Sequence, residues 1–239
     1  MNIEILQGAE QAKEAAGIAV VIDVFRAFSL ECYLMSVGCS RILPVGLVDT
    51  ARFLKSRHPG YVLIGERHGR ILPGFDFGNS PSQVDAEIIR GKTIVHTTSA
   101  GTQGIAAASA RSDEILAAGL VNAKATAQYI LSREPDHVSL ICMGVEGMEP
   151  SPEDTFCGEY IKAMLLESEI DIADNMQRIR NHKEGMKFFD PELQDVFPEK
   201  DFEMCTAIDR FDTVLRVNKI ADDVFETRTI GPEGTGLNM

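Results

Sequence analysis

The chain has 239 residues, 44% hydrophobic and 25% charged, the proportions of a soluble globular protein rather than of a disordered segment. Its 36 acidic and 23 basic side chains leave a net charge of −13, with no Lys/Arg-rich stripe to offset it. Nucleic acid is therefore excluded as an expected partner, and an anionic substrate must be captured by local donors or a metal.

No apolar run approaches the roughly 18 residues of a spanning helix, and no basic-then-apolar signal pattern follows Met1. Five cysteines (Cys32, Cys39, Cys142, Cys157, Cys205) are scattered without a C-x-x-C pair. The expectation is a cytoplasmic chain with reduced thiols and no membrane partner.

Runs of Val, Ile and Leu on consecutive positions predict strands over Ile18–Val24, Arg41–Val45, Tyr61–Gly65, Thr93–Thr97, Glu114–Leu116 and His137–Met143. Helical patterns fall between them at Leu30–Val37, Thr50–Ser56, Pro81–Arg90, Thr102–Ala110, Ala123–Leu131 and Pro152–Leu166. The alternation predicts an α/β fold, three layers α/β/α around a mostly parallel sheet. Residues 1–170 form the core that carries the motifs. A polar helix over Asp171–Phe188, a loop-like stretch Asp190–Lys200, a short helix and strands near Thr213–Val217 and Val224–Thr229 make a mixed α+β segment, 171–239. That segment either packs on the core or completes it as one domain.

Open α/β sheets bind ligands at the carboxyl ends of their strands, and here those ends carry polar chemistry. Asp23, Arg26 and Ser29 follow the first strand, Gly65-Glu66-Arg67 ends the third, and Thr97-Thr98-Ser99-Ala100-Gly101-Thr102 ends the fourth. Cys142-Met143-Gly144 ends the sixth, with Glu146, Glu153 and Asp154 behind it. Carboxylates, guanidiniums and hydroxyls thus gather at one edge of the sheet.

Asp23 follows five apolar residues and is costly to bury unpaired. It is either a metal ligand or nucleophile, as a hard oxygen donor suited to magnesium, or an N-cap or partner of Arg26. Residues 65–81 are too rich in Gly and Pro for regular structure and exceed the ~12 residues of an ordinary connection. They carry Glu66, Arg67, Arg70, Asp76 and Asn79, with His68 as a plain loop histidine. They close on Ser80-Pro81-Ser82-Gln83, which reads as a helix start.

The Thr97–Thr102 segment offers amides and hydroxyls to an anion, or simply caps its helix. Ser151-Pro152-Glu153-Asp154 reads as a capping box, with metal or general-base duty as the alternative for its acids. There is no phosphate-binding P-loop and no G-x-G-x-x-G. No Cys has Arg six residues later, and Asp23-Val24-Phe25 lacks the second acid of an Asp-x-Asp phosphatase loop. Cys142 reads first as a buried thiol.

Asp23-Val-Phe-Arg-Ala-Phe-Ser29, Gly65-Glu-Arg, Gly74-Phe-Asp-Phe-Gly-Asn-Ser-Pro81, Thr97-Thr98 with Gly101-Thr102, and Cys142 through Glu153-Asp154 together resemble the 2-phosphosulfolactate phosphatase family. The match runs in order through residues 18–160, and its Gly-Asn-Ser-Pro block is the most specific element. The resemblance implies an α/β fold and a magnesium-dependent phosphatase of phosphorylated 2-hydroxy acids, converting 2-phosphosulfolactate to sulfolactate and phosphate; the family's named member acts in coenzyme M biosynthesis. Phe28 and Leu30 stand where the family pattern carries threonines, and Ala100 where it carries asparagine. These departures keep open an alternative, a small-anion (dicarboxylate or phosphate) binding protein on the same fold.

On the combined reading, magnesium is held by Asp23, Glu66, Asp76 and Glu153, with catalytic duty for Asp23, Glu66, Asp76 and Asp154. Arg26, Ser29, Arg67, Asn79, Ser80, Thr97, Thr98, Ser99, Gly101 and Thr102 surround a small anionic phosphorylated substrate. Attack by water, by Asp23 or by Cys142 stays open. A homodimer is the expected assembly, closed symmetric oligomers being common.

Overall fold

A computed structural model describes residues 1–234. Ten strands form one sheet: β1 (Asn2–Gln7), β2 (Ile18–Ile22), β3 (Arg41–Pro44), β4 (Val62–Arg67), β5 (Arg70–Ile71), β6 (Thr93–Thr97), β7 (Glu114–Ala118), β8 (His137–Cys142), β9 (Val214–Ala221) and β10 (Val224–Ile230). Their spatial order is β1-β8-β2-β7-β9-β10-β3-β6-β4-β5. The α/β class and the mostly parallel sheet are as the sequence pattern predicts. The short β1 and β5 are absent from the prediction, β1 because Glu4 and Gln7 interrupt its apolar run.

The order has one unexpected feature. β1, β8, β2 and β7 are mutually parallel, as are β3, β6 and β4. Between these blocks sits the β9–β10 hairpin from the end of the chain, antiparallel to β7 on one side and to β3 on the other. Three antiparallel steps reverse direction, so the two parallel blocks run opposite ways. In a flat sheet their carboxyl ends would lie on opposite edges, contrary to the single edge expected from the motifs. Twist accumulates over many strands, and here the sheet bends until the blocks face each other.

The helices are α1 (Gly8–Ala12), α2 (Ala27–Ser36), α3 (Val48–Arg57), α4 (Ala86–Ile89), α5 (Gly101–Ala108), α6 (Ala123–Arg133), α7 (Pro152–Leu165), α8 (Ile172–Asn181), α9 (Lys183–Met186) and α10 (Glu199–Cys205). One core holds Ala19 and Val21 of the first block with Ile42, Ile64 and Ile94 of the second, around Phe28, Leu30 and Leu34 of α2 and Ile105 of α5. Alternate residues of β2 (Ile18, Val20 and Ile22) turn to the other face, where α6, α7 and α8 cover them. Ala51 of α3 covers Leu43, Leu63 and Val95 on the outer face of the second block.

Two local expectations change. The helix start at Ser80–Gln83 does not form, because the chain turns through residues 81–83 and the helix shrinks to α4, capped by Asp85 accepting from the Glu87 amide. The polar helix over Asp171–Phe188 is split at His182, whose extended backbone ends α8 and caps α9. No helix among the described residues is long and apolar enough to cross a membrane.

Candidate active site

The two blocks meet at a cleft of about 210 Å³, lined by Asp23 and Arg26 after β2, Glu66, His68 and Gly69 at the β4–β5 turn, Ser99 and Ala100 after β6, and Glu146 and Glu153 after β8. Asn79, Glu184, Lys187 and Phe197 complete its wall. That volume suits a small molecule with a few waters.

Asp23 stands at the junction. Its Oδ1 accepts from the Ala27 amide at 3.1 Å, and its Oδ2 accepts from Gly101 N at 2.9 Å. The N-terminus of α5 is thus directed at a carboxylate of the protein itself, a favourable end-on arrangement with the helix dipole. Gly101 is required by that approach, since a Cβ there would sit 2.9 Å from Asp23 Oδ2 and 3.0 Å from the Phe28 ring.

Glu66, on the opposing block, is held similarly. Its Oε1 accepts from Ser99 N at 2.7 Å, while its Oε2 accepts from Gly69 N at 2.7 Å and Ser99 Oγ at 3.1 Å. The Gly69 amide is available because His68 and Gly69 both adopt left-handed backbone and close β4 onto β5 in two residues. The stretch from Gly65 therefore opens as a tight hairpin, not one long irregular loop.

Asp154 does not face the cleft. Its Oδ1 accepts from Val24 N at 2.8 Å and its Oδ2 from Gly144 N at 2.7 Å, so it ties the ends of β2 and β8 together. Ser151 is the N-cap residue of α7, but its hydroxyl makes no capping bond. The expected capping box is thus replaced by this longer-range use of the acid. Glu153 is the contrast: it lines the cleft, is 4% exposed, and its Oε2 has no hydrogen-bond partner.

Burial pushes the Asp23 carboxyl up to about 7, with repulsion from Asp154 and Glu66 adding to it. Burial raises Glu153 and Asp154 as well, and the two repel each other. Five carboxylates line the cleft, Asp23, Glu66, Glu146, Glu153 and Glu184, against Arg26, Lys187 and His68. Lys187 already pairs with Glu184, and His68 with Glu146. The cleft is built to receive positive charge.

The donor set is hard oxygen and includes a buried unpartnered carboxylate oxygen, which fits magnesium chemically. Among the described residues no three His, Cys, Asp or Glu side chains are grouped to hold an ion by themselves. That spacing agrees with magnesium's habit of taking one or two protein carboxylates and completing its shell with water and phosphate oxygens.

The remaining sequence candidates divide. Arg26 reaches the cleft, but its guanidinium is engaged: Nη1 donates to Asp201 Oδ2 and to the Val196 carbonyl at 2.8 Å each, and Nη2 to the Gly69 carbonyl at 3.2 Å. Ser99 and Asn79 line the cleft. Thr98 and Thr102 exchange amide–hydroxyl bonds at 3.1 Å and are spent capping α5. Thr97 accepts from Arg67 Nη2, whose guanidinium is turned toward the Glu66 and Gly46 carbonyls.

Ser29 donates to the Val24 carbonyl, and Ser80 to Asp201. Asp76 stands apart from the carboxylate cluster: it accepts from Leu63 N and pairs with Lys55 on the outer side of β4. An acid in a Gly-rich loop gave no sign of that direction. Sequence reasoning missed Glu184, Lys187, Phe197 and the buried Asp201, all in the polar C-terminal segment, where nothing in the local pattern points toward a site built on the ends of earlier strands. Cys142 is fully buried with its thiol pushed up by burial, which leaves no thiolate nucleophile at the end of β8. Phe28 and Leu30 are fully buried in the apolar core, so the alternative of an impaired anion-binding protein loses the departures that suggested it.

An α/β sheet carrying a small acidic cleft where its strand ends converge is the construction of an enzyme acting on a small polar substrate. The family model described as 2-phosphosulpholactate phosphatase matches residues 4–219, and the chain belongs to that family, a family of phosphoric monoester hydrolases. The chain is 37% identical over 203 residues to a protein of Thermotoga petrophila (82% of this chain, 87% of the relative). It is 32% identical over 222 residues to one of Bacillus subtilis strain 168 (92% of this chain, 95% of the relative). Both relatives carry the name "Probable 2-phosphosulfolactate phosphatase".

Proposed function

We propose that this enzyme is a magnesium-dependent phosphatase that hydrolyses 2-phosphosulfolactate to sulfolactate and phosphate. The observation that carries the metal dependence is the unpartnered Glu153 Oε2 beside Asp23 in a cleft of five carboxylates. Such a substrate bears phosphate, carboxylate and sulfonate groups, and repulsion from this wall would exclude it unless a cation enters with it.

Asp23 and Glu153 are the side chains that would hold the ion, with Glu66 across the cleft, and when bound it would supply charge neutralisation and orientation of the phosphoryl group. The rest falls to the chain's own residues. Backbone donors at Ala27, Gly101, Ser99 and Gly69 hold Asp23 and Glu66 in place, so little reorganisation is needed when substrate arrives. Asp154 positions Gly144 and Val24. Lys187 and Arg26, paired with Glu184 and Asp201, supply the positive charge of the wall that would face the anionic ends of the substrate. Phe197, on which the Arg26 guanidinium lies at 4.9 Å, gives that side of the cleft an apolar wall. In the net reaction a water oxygen bonds to phosphorus, the bond to the 2-oxygen breaks, and that oxygen leaves as the hydroxyl of the product.

The test is phosphate release from a panel of 2-phospho-hydroxy acids, including phosphosulfolactate and phospholactate, with magnesium or with a chelator. Turnover that needs magnesium and ranks phosphosulfolactate first is the expected result. Release unaffected by the chelator would remove the metal from the reading, and a different ranking would replace the substrate.

A further inference from the structure

Behind the cleft runs a line of buried polar side chains that the carboxylate cluster does not use. His96 on β6 has no exposure; its Nδ1 lies 2.8 Å from Glu31 Oε1 on α2, and its Nε2 lies 3.2 Å from Asn79 Oδ1. Glu31 is equally buried, and its Oε2 accepts from Thr227 Oγ1 of β10 at 2.9 Å. Asn79 ends the line and lines the cleft beside Arg26.

The geometry orders the line. His96 Nδ1 and Glu31 Oε1 share one hydrogen bond, which fixes the imidazole ring whichever of the two atoms supplies the proton. An amide oxygen accepts only, so the Nε2 facing Asn79 Oδ1 carries a proton. That leaves Asn79 Nδ2, which has no protein partner among the described residues, as the end of the amide presented to the cleft.

We infer that the buried Glu31–His96 pair sets the orientation of Asn79, so that its NH₂ group donates to an anionic oxygen of the substrate, and that Glu31 and His96 are positioning residues. The inference rests on the phosphatase reading for the identity of that oxygen alone. It assigns a role to a pair that no substrate touches. It also couples the cleft to the central hairpin through Thr227.

Two measurements test it. In the free wild-type protein, ¹⁵N-detected imidazole spectra, assigned by comparison with His96→Gln, are expected to show a proton on Nε2 of His96. A bare Nε2 would overturn the inference, because Asn79 would then turn its carbonyl outward. In turnover assays with magnesium, Glu31→Gln disturbs the hydrogen bond that fixes the His96 ring. Its KM is expected to rise about tenfold with kcat little changed, whereas Asn79→Asp is expected to lose about 100-fold or more in kcat/KM through repulsion. A wild-type KM in folded Glu31→Gln would also overturn it. If the wild type releases no phosphate from any substrate, the phosphatase reading falls while the imidazole spectrum still decides the arrangement of His96 and Asn79.

Discussion

Arg26 and Asp201 meet at 2.8 Å with side-chain exposures of 4% and 0%, although 175 residues separate them in the chain. Asp201 also accepts from Ser80 Oγ and Ser82 N at 3.0 Å each. One carboxylate from α10 thereby anchors both the β2–α2 turn and the end of the Gly-Asn-Ser-Pro block. Removing one member of a buried pair strands the other charge, at a cost of about 3–5 kcal/mol. Asp201→Ala should therefore lower stability by that amount in urea unfolding. A loss under 1 kcal/mol would mean that solvent reaches Arg26 and that the pair is not structural.

Stability should also depend on pH through Asp23. Its carboxyl rises to about 7 in the fold because burial disfavours the charge, whereas in the unfolded chain it titrates near 3.9, an ordinary value for Asp. Between about pH 4 and 7 the folded state thus binds the proton more tightly than the unfolded state. Stability is greatest at the acid end of that window and falls as pH rises through it. In the presence of a chelator, the melting temperature should drop between pH 5.5 and pH 8, and Asp23→Asn should flatten the drop. Magnesium at pH 8 should raise the melting temperature more than at pH 5.5, where protons compete for the same oxygens. Calorimetry showing no magnesium shift at either pH would count against the cation site.

Glu153 and Asp154 are adjacent in sequence and should behave oppositely. Glu153→Gln removes the charge of a buried carboxylate whose Oε2 has no hydrogen-bond partner, so the protein should keep or gain stability while turnover falls about 100-fold or more. Asp154→Asn replaces one of two backbone-bound oxygens by a donor, which leaves an amide unpaired at roughly 1–3 kcal/mol. The resulting shift of Val24 and Gly144 should lower activity by about 10–100-fold. Parallel melting and steady-state measurements on the two variants separate these patterns, and equal destabilisation in both would contradict the assignment.

Cys142→Ala should turn over at the wild-type rate, its thiol being buried and protonated. A large loss of kcat with folding intact would reopen covalent attack. Phe28→Thr tests the departure from the family pattern. Its ring is fully buried beside α5, so the substitution should cost about 3–5 kcal/mol through the cavity left behind. The ranking of substrates should not change.

Much of the fold was legible locally. Of the eight predicted strands, the six before residue 144 lie within two residues of their predicted ends, because parallel strands buried on both faces write continuous apolar runs, while β9 runs four residues past its predicted end. Asp23 and Glu66 were legible as residues of the cleft, since each follows an apolar strand run, and Glu153 as an acid at a helix start behind a strand end. Asp76 was legible only as an acid in a loop, and its outward pairing with Lys55 depends on how that loop packs against β4. Lys187, Glu184 and Asp201 left no local sign at all.

The sequence by itself determined the elements, the excess of negative charge and the set of carboxylates at strand ends, because burial period and composition are written residue by residue. Tertiary structure decided which of them meet. The C-terminal hairpin enters the middle of the sheet and reverses one parallel block, so strand ends that a linear reading lines up on one edge converge only because the sheet bends. That bend brings Asp23 to Gly101, whereas Ser99 meets Glu66 because β6 and β4 are parallel neighbours in one block. Asp154, one residue from the cleft-lining Glu153, spends both oxygens on the backbone of the neighbouring strand ends instead.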